Sequence, residues 1–352
     1  MEKLLLSVCI PTYNRVNSLI ELVDSVLKIK RDDIDIVITD NCSTDETESV
    51  ISAYPDKRVK YYKNESPLPA LINTVHSLFN AKGKYALLCN DRDLLFPDQL
   101  INLINYLEQG DFSLVLSPPK YKCDMGEPKI FSPGFESLVG HDCLHHPTGM
   151  VYNREIIEQF IDESNYYKYL GCIYTYDFLA IDLMKYEKSS ICFWPYWGTR
   201  DTAYIRTNKA GTGNNLYFLP EIREKTFYAY INHVFEHGKF VLSEQERLQL
   251  IDHAYLFFAV AFCNYKLCLS DYNESAHYNL QPKFIPVMVM LSVYNKFFKT
   301  SISQISKYFN DTIKRTIINN RLKYYIKVII CCIKIDIVSA SKYMHLLLIK
   351  DK

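Results

Sequence analysis

The sequence predicts an α/β protein whose N-terminal part is a doubly wound sheet with helices on both faces, followed by a helical region. Three observations carry this prediction. Short apolar runs recur along the first 120 residues, segments with helical apolar spacing lie between these runs, and the chain beyond Pro220 is helical in pattern and nearly free of glycine. Continuous apolar runs are typical of parallel strands that are buried on both faces.

The first strand is expected over residues 4–10, which form a continuous apolar run. It should stop at Pro11, because proline has no N–H to offer the sheet. Ser18 and Glu21 have the spacing of a capping box, in which the two side chains cap the first turn of a helix. A helix is therefore expected to begin near Ser18.

The second strand is expected over residues 34–40, and Ser43 with Glu46 forms a second capping box that opens a helix to about Tyr54. The alternation then continues. The remaining elements are predicted, in chain order, as a strand at 58–64, a helix at 69–81, a strand at 85–89, a helix at 97–108, a strand at 112–118, helices within 153–161 and 176–188, and a strand within 191–197.

The chain is expected to divide into two regions. A Gly- and Asn-rich stretch at 207–215 is expected to be a mobile loop. It closes a first domain of residues 1–215, and residues 216–352 form a C-terminal helical region.

Composition excludes several classes of protein. The 352 residues carry 40 Lys and Arg against 40 Asp and Glu, so no basic surplus points to nucleic acid. The eleven cysteines lack zinc-type spacing and are expected to be reduced thiols in a cytosol. The short N-terminal apolar run does not fit a signal peptide, and no stretch reaches the roughly 18 apolar residues of a membrane span. We therefore expect a cytoplasmic protein.

Three polar turns follow predicted strands, at Pro11–Arg15, Asp40–Asp45 and Asn90–Asp93. Ligands of open α/β sheets bind at the carboxyl ends of the strands, which is where these turns lie. The first glycine of the chain is Gly83, so neither a dinucleotide fingerprint nor a P-loop is present. The diphosphate of a nucleotide would then need another partner, and a divalent metal held by the carboxylates of "NDRD" is the obvious one.

The stretches "SVCIPTYNR", "IVITDNCSTDET" and "GKYALLCNDRDLLFPDQL" together resemble the family 2 glycosyltransferases over roughly residues 4–205. The resemblance implies the GT-A nucleotide-diphospho-sugar transferase fold, a Rossmann-like mixed sheet with helices on both faces. It also implies a nucleotide-diphosphate sugar donor, with a UDP-sugar the first choice, and Mn²⁺ or Mg²⁺ as cofactor. The sugar would be transferred with inversion to a hydroxyl of a glycan or lipid-linked acceptor.

The resemblance assigns the first two turns to the donor nucleotide. The turn that would hold the base comprises Pro11, Thr12, Tyr13, Asn14 and Arg15. Asp40 would contact the base or the ribose, since a carboxylate can accept from a base N–H or from ribose hydroxyls. The alternatives are an ordinary strand-to-helix loop and, for Asp40, a helix cap. Asn41 and Asp45 are expected to be structural.

The third turn would hold the diphosphate and the metal. Asp91 and Asp93 form a D-x-D pair, and hard cations prefer such oxygen ligands. The motif departs from the commoner family form, because Asn90 and Arg92 fall where many relatives carry acids. In that register only Asp93 is a standard ligand, and Arg92 could pair with the diphosphate itself.

Asp177 is the candidate general base. It begins a predicted helix beyond the metal motif, in a position where the family usually supplies an acid, and inversion needs a base for the acceptor proton. Its presence could equally reflect the preference for acids at a helix start. Asp182 and Asp142 are weaker alternatives.

Further residues could contact the acceptor or the diphosphate. His145 and His146 lie in a segment that resembles the floor of the family's acceptor site. The other candidates are the aromatic residues Trp194, Tyr196 and Trp197, which could stack on a sugar or fill the core, and Arg200 and Arg206, which flank the Gly- and Asn-rich loop.

The C-terminal helices are apolar with interspersed lysines. They could lie peripherally on the inner face of the cytoplasmic membrane or pack in a bundle, against the first domain or against a second subunit. The low glycine content and abundant Lys, Ile, Asn and Tyr suit an AT-rich bacterial genome. In a bacterium, the family resemblance implies a role in surface polysaccharide or lipooligosaccharide assembly. Two other functions remain open, a non-catalytic nucleotide-sugar-binding member of the fold and, less favoured, a nucleotidyltransferase.

Overall fold

The computed structural model describes residues 4–118, 122–141, 146–170, 172, 175–199, 218–270 and 283–350, with side chains to residue 340. The contacts between residues divide the chain into two compact units. The first unit is Met1–Leu170 with Tyr174–Thr212, and the second is Gly171–Ile173 with Gly213–Lys352. The predicted boundary between residues 215 and 216, and the predicted loop before it, lie outside the described residues.

The first unit is built on a mixed sheet. Its strands are β1 (Leu6–Thr12), β2 (Ile34–Asp40), β3 (Val59–Lys63), β4 (Tyr85–Leu88), β5 (Asp93–Leu95), β6 (Leu114–Leu116), β7 (Lys129–Phe131), β8 (Met150–Asn153), β9 (Ser189–Ile191) and β10 (Trp197–Thr199). Eight of them form one sheet in the order β3-β2-β1-β4-β8-β6-β9-β7, and β5 pairs with β10. The first four are parallel, and β8 runs antiparallel to both neighbours. The predicted mixed α/β sheet is confirmed.

Helices cover both faces of this sheet. They are α1 (Val16–Leu27), α2 (Thr47–Ser52), α3 (Ala70–Phe79), α4 (Pro97–Glu108), α5 (Phe135–Gly140), α6 (Arg154–Phe160) and α7 (Thr175–Leu183), with a 3-10 helix at Glu163–Tyr169. The apolar residues of α1 and α4 join one face of β1, β2 and β4 in a single core cluster. The helices α3 and α6 contact β1, β2 or β4, and α7 contacts β8, through residues that are not part of that cluster.

The prediction that β1 stops at Pro11 is wrong, because the strand continues to Thr12 and Pro11 pairs in register with Thr39. The backbone oxygen of Cys9 accepts a hydrogen bond from Cys89, so residues 9 and 11 face the β4 side. Pairing with β4 ends at Cys9. Proline therefore occupies a position where no N–H is needed, which an edge or strand end tolerates.

Both predicted capping boxes are also wrong. The helix α1 begins at Val16, and the Ser18 hydroxyl donates to the carbonyl oxygen of Arg15 at 3.2 Å. The helix α2 begins only at Thr47, whose backbone N–H donates to Asp45 at 3.1 Å. The backbone N–H of Ser43 instead donates to the Asp40 carboxylate in the same turn. This local hydrogen bond competes with the expected helix cap.

The predicted strand within 191–197 is divided in the structure. Its start belongs to β9, and its end, Trp197, begins β10, which leaves the large sheet to pair with β5. Pro195 lies between the two strands and cannot donate to a ladder. This division brings β10 beside the "NDRD" segment.

A histidine–glutamate pair ties α3 to the 3-10 helix, with 2.7 Å between His76 Nδ1 and Glu163 Oε1. This hydrogen bond raises the pKa of His76 above 6.5, and burial opposes the shift. A histidine whose pKa is higher in the folded chain stabilises the fold fully below its unfolded pKa of about 6.5. That contribution is lost as pH rises through the folded-state pKa.

Replacing Glu163 with glutamine is expected to lower the pKa of His76 and to flatten the pH dependence of the unfolding free energy above about pH 6.5. The two quantities are measured by a histidine NMR titration and by urea unfolding at several pH values. An unchanged His76 titration in the variant would contradict the pairing.

The second unit is helical. Its helices are α8 (Pro220–Asn232), α9 (Glu244–Ser270), α10 (Val287–Gln304) and α11 (Asp311–Lys350). The most extensive contact within it joins α9 to α11. The fully buried Lys266 of α9 is neutralised by Asp336 of α11 at 2.6 Å. Within the described parts of the chain, no helix is long and apolar enough to cross a membrane.

Candidate active site

Hydrogen bonds join the first two strand-end turns to each other. The backbone N–H of Asn14 donates to the Ser43 hydroxyl at 2.9 Å, and Asn14 Oδ1 accepts from the Thr44 N–H at 2.7 Å. Asn14 has a φ of 52°, a conformation that asparagine tolerates better than most residues. The N–H of Val16 donates to Asp45 at 3.2 Å. The two turns therefore form one rigid edge.

Asp40, at the end of β2, is fully buried at 0% exposure. Its Oδ1 accepts from the backbone N–H of Ser43 at 2.9 Å, and its Oδ2 accepts from the hydroxyl of Tyr61 at 2.6 Å. Burial, and then the bond to Asp40, raise the pKa of Tyr61. In this arrangement the carboxylate holds the second turn in place, and its predicted contact with a base or ribose stays a prediction.

Asp91 belongs to the third turn and joins it to the first. It is 2% exposed, and its carboxylate accepts from the Thr12 hydroxyl at 2.9 Å. Arg15 Nη1 lies 3.2 Å from Asp91 Oδ1. Burial raises the pKa of Asp91, while the charges of Arg15 and Arg92 and the bond from Thr12 oppose that shift. The structure thus brings together three of the predicted donor-site residues.

Asp93 begins β5 and is also 2% exposed. It is held by the hydroxyl of Thr148, which donates to Asp93 and accepts from the backbone N–H of Asn90 at 2.9 Å. His146 Nε2 lies 3.8 Å from Asp93 Oδ2. Thr148 was missed at the sequence level, and its neighbours Pro147 and Gly149 were the only local signal of a specific turn there.

His146 forms one wall of this site. Its side chain is 37% exposed, and its ring stacks on Trp197 with 5.0 Å between the ring centres. Trp197 is 1% exposed and donates from Nε1 to the carbonyl oxygen of Ser117 at 3.0 Å. A ligand that enters here would therefore meet His146 before it met Trp197. Tyr196 is likewise buried, and Trp194 packs against the same core.

Gly149 makes the close approach of Trp197 possible. It has a φ of +94°, and a Cβ on this residue would lie 2.1 Å from Trp197 Nε1. Any side chain here would both strain the backbone and displace the indole ring.

Replacing Gly149 with alanine is expected to lower the unfolding free energy by about 3 kcal/mol, combining backbone strain with overpacking. Gly134 provides the matched control, because its φ is +86° and a Cβ there would meet nothing within 4 Å. Gly134→Ala should therefore show only the backbone cost of about 1 kcal/mol. Urea unfolding of both variants measures the difference, and equal losses would contradict the contact with Trp197.

Asp177 lies in the first turn of α7 and is 3% exposed. The hydroxyl of Tyr152 lies 3.3 Å from the carbonyl oxygen of Tyr176 and 3.3 Å from the sulfur of Met150. Burial, and then the charge of Asp177, raise the pKa of Tyr152. Because Met150 pairs with Leu88 at the end of β4, the start of α7 lies at the same edge of the sheet as the three turns.

The carboxylate of Asp182, the alternative general base, contacts two neighbouring side chains. It accepts from the Tyr166 hydroxyl at 2.8 Å and pairs with Lys185 at 3.2 Å. The remaining candidates, Asp142, His145, Arg200 and Arg206, lie outside the described residues. Tyr13 and Arg92 are partly exposed at the edge of the site.

The acids of this site could hold a divalent metal together with a bound diphosphate. Across the parts of the chain that are described, no group of three or more His, Cys, Asp or Glu side chains could hold a cation. Mg²⁺ is commonly bound by one or two carboxylates together with substrate phosphates and water. The buried carboxylates of Asp91 and Asp93 fit that pattern, with the reservation that Asp91 is paired with Arg15.

The chain belongs to glycosyltransferase family 2. The family model described as "Glycosyl transferase family 2" matches residues 7–207, more than half of the chain. This confirms the resemblance drawn from the three strand-end motifs, all of which lie inside the matched range.

Individual relatives match only part of this chain. A glycosyltransferase of Rickettsia felis, named as uncharacterized, is 34% identical over 107 residues, covering 30% of this chain and 18% of the relative. The abequosyltransferase RfbV of Salmonella typhimurium is 33% identical over 129 residues, covering 35% of this chain and 39% of the relative. This chain therefore spans less than half the length of these two relatives.

A solved structure of S. aureus TarS, residues 1–349, in complex with UDP-GlcNAc, has the same fold. The TM-score is 0.56 at 15% sequence identity, and the match covers 93% of this chain and 90% of that chain. The predicted GT-A fold with a C-terminal helical region is thereby confirmed.

Proposed function

We propose that this chain is an inverting glycosyltransferase that moves a sugar from a nucleotide-diphosphate donor to a hydroxyl of a glycan or lipid-linked acceptor. One observation carries the proposal. Two buried carboxylates, Asp91 and Asp93, lie in the turn that follows β4, and Asp91 is bonded to Thr12 and Arg15 of the first turn. Buried acids gathered at the carboxyl edge of an α/β sheet are typical of a ligand site.

The donor nucleotide is assigned to the edge formed by the first two turns. The partly exposed ring of Tyr13 is the available stacking surface beside Thr12. Asp40 supports this edge from beneath through Ser43 and Tyr61. The related fold of TarS was solved with UDP-GlcNAc, which supports a nucleotide sugar and makes a UDP-sugar the first donor to try.

The diphosphate is assigned to the third turn, where Asp93 and Arg92 lie. A divalent cation, Mn²⁺ or Mg²⁺, held by Asp93 and the diphosphate oxygens would neutralise the charge of the leaving nucleoside diphosphate. Asp91 could join as a ligand once the Arg15 pair opens. Arg15 and Arg92 then remain as cations that can bind the phosphate oxygens.

We assign Asp177 as the general base that takes the proton of the acceptor hydroxyl. The acceptor oxygen attacks the anomeric carbon from the side opposite the diphosphate, so that the new C–O bond forms as the bond to the phosphate oxygen breaks. The hydroxyl proton passes to the Asp177 carboxylate, and the nucleoside diphosphate leaves with the bonding electrons. The position of Asp177 at the sheet edge that carries the three turns supports this role.

The cellular role is proposed from the relatives. The Salmonella relative is named for the transfer of abequose, and the composition suits an AT-rich bacterial genome. We assign this chain to the assembly of a bacterial surface polysaccharide or lipooligosaccharide, acting on the cytoplasmic side. The predicted first domain, residues 1–215, would carry the reaction.

A second candidate is a non-catalytic protein that binds nucleotide sugars. The observation that favours it is the Arg15–Asp91 pair, which occupies one of the two predicted metal ligands. This candidate predicts that Asp93→Ala and Asp177→Asn leave the cellular glycan unchanged. A nucleotidyltransferase is disfavoured, because no glycine precedes Gly83 to build its phosphate loop.

Calorimetric titration of the full chain with UDP-, GDP-, CDP- and dTDP-sugars in the presence of Mn²⁺ tests the proposal. Binding of donors that share one base is expected. The absence of binding by all four classes would overturn it. Binding without release of nucleoside diphosphate, even with bacterial surface glycans supplied as acceptors, would support the second candidate.

A further inference from the structure

The long helix α11 has two apolar faces. One face is buried against α9 and α10 and comprises Ile313, Ile317, Tyr324, Val328 and Cys332, none of them more than 4% exposed. These positions recur at intervals that keep them on one side of a helix. This face accounts for the packing of α11 within the second unit.

The other face is exposed, and we call it the α11 stripe. It comprises Leu322 at 66% exposure, Ile326 at 45%, Ile330 at 46%, Ile333 at 46% and Ile337 at 64%. Successive spacings of four, four, three and four residues place these side chains in a single row, roughly 22 Å long at about 1.5 Å per residue. At about 100° per residue, this row lies on the opposite side of the helix from the buried face.

An exposed row of apolar side chains on a helix indicates a binding partner. A surface helix of a globular protein normally has one apolar stripe, and that stripe faces the core. Large branched side chains scattered singly on a surface need no explanation, but a contiguous row of five marks an interaction site.

The charges beside the α11 stripe indicate what the partner is. Residues 312–335 contain six Lys and Arg and no Asp or Glu. Lys327 and Lys334 each follow a stripe residue by one position, which places both on the same flank. Lys323 pairs with Asp252 of α9 at 2.6 Å, and Asp336 faces the buried Lys266. The flank of the α11 stripe that carries Lys327 and Lys334 is therefore cationic.

A cationic flank disfavours a second copy of this chain, because two stripes packed together would bring like charges close. It complements an anionic surface. We propose that the α11 stripe docks on an anionic lipid bilayer, with the helix lying in the plane of the interface. The isoleucines enter the boundary with the acyl chains, and the lysines contact the headgroups.

Co-sedimentation of the full chain with vesicles tests this proposal. Vesicles of phosphatidylcholine alone are compared with vesicles that also contain phosphatidylglycerol. Binding is expected to the phosphatidylglycerol vesicles, to weaken as salt increases, and to be much poorer with phosphatidylcholine alone.

The double variant Ile326→Gln with Ile333→Gln is expected to raise the lipid concentration for half-binding by about tenfold or more, because it removes apolar area that enters the bilayer. Both side chains are exposed, so the fold should be preserved. The control is Ile130→Gln, a change of a somewhat more exposed isoleucine on β7, at 56% exposure, which should leave binding unchanged.

The double variant Lys327→Gln with Lys334→Gln is expected to weaken binding to phosphatidylglycerol vesicles by about fivefold per lysine. The proposal is overturned if the wild-type chain does not bind these vesicles or if the Ile326 and Ile333 changes leave binding intact. It is also overturned if sedimentation velocity shows a dimer without lipid that those changes dissolve. The measurement needs no donor sugar, so its failure would leave the proposed sugar transfer untouched.

Discussion

Replacing Asp177 with asparagine is expected to lower the rate of sugar transfer by about 10²- to 10⁴-fold, the usual contribution of a general base. Asparagine has nearly the same shape but cannot take the acceptor proton. The affinity for the donor should be unchanged, because Asp177 is assigned to the acceptor. The rate is measured from released nucleoside diphosphate, and donor affinity by calorimetry.

Asp182→Asn is the matched control for this experiment. It lies in the same helix, and its carboxylate bonds to Tyr166 and Lys185. Its replacement should leave the transfer rate close to that of the wild-type chain. A large loss with Asp182→Asn and none with Asp177→Asn would show that the base has been assigned to the wrong residue. Loss of donor binding in Asp177→Asn would place this residue on the donor side.

Replacing Asp93 with asparagine is expected to lower kcat/KM by about 100-fold or more, equivalent to about 2.7 kcal/mol of transition-state stabilisation. The amide is a poorer ligand for a hard cation than the carboxylate it replaces. The apparent affinity for Mn²⁺ in the presence of a nucleoside diphosphate should fall in parallel, and electron paramagnetic resonance of free Mn²⁺ measures it directly.

Asp98→Asn controls for a general change of charge near this site. Asp98 is exposed at the first turn of α4, a short distance along the chain from Asp93. Its loss should cost only the small favourable interaction of an acid with a helix N-terminus. If Asp93→Asn binds Mn²⁺ as tightly as Asp98→Asn does, Asp93 is not a metal ligand, and Arg15 with Arg92 would be left to neutralise the diphosphate.

Much of the first unit follows from local signals in the sequence. The helix α4 was predicted with the observed bounds, because Pro97 suits the first turn of a helix and Gly110 follows its end. The strands β2 and β4 were predicted from their continuous apolar runs. The three polar turns were expected to share one edge of the sheet, and bonds from Asn14 and Thr12 join the first turn to the other two.

The errors arise where a residue's role depends on a partner distant in the sequence. Pro11 is tolerated inside β1 only because β4 has already ended beside it. Ser43 was expected to cap a helix, but the carboxylate of Asp40 is a closer partner. These competitions are decided by tertiary contacts, which local spacing does not encode.

The contacts that hold the site residues in place could not be predicted for the same reason. Thr148 reaches Asp93 across 55 positions of chain, and Trp197 packs against His146 only because β10 pairs with β5. The sequence around Thr148 and around Trp197 contains no feature that indicates these partners. Similarly, the apolar and basic pattern of α11 was visible in the sequence, but which of its apolar residues are buried depends on α9 and α10.

The most direct test of the central claim, a metal-assisted nucleotide-diphosphate site at the strand-end turns, is a thermal shift of the full chain with nucleoside diphosphates. UDP, GDP, CDP and dTDP are each tested with Mn²⁺ and with EDTA. We predict that one nucleotide raises the Tm, and that it does so only with Mn²⁺. A nucleotide that stabilises equally well in EDTA would contradict the metal, and the absence of any shift with all four would contradict the site.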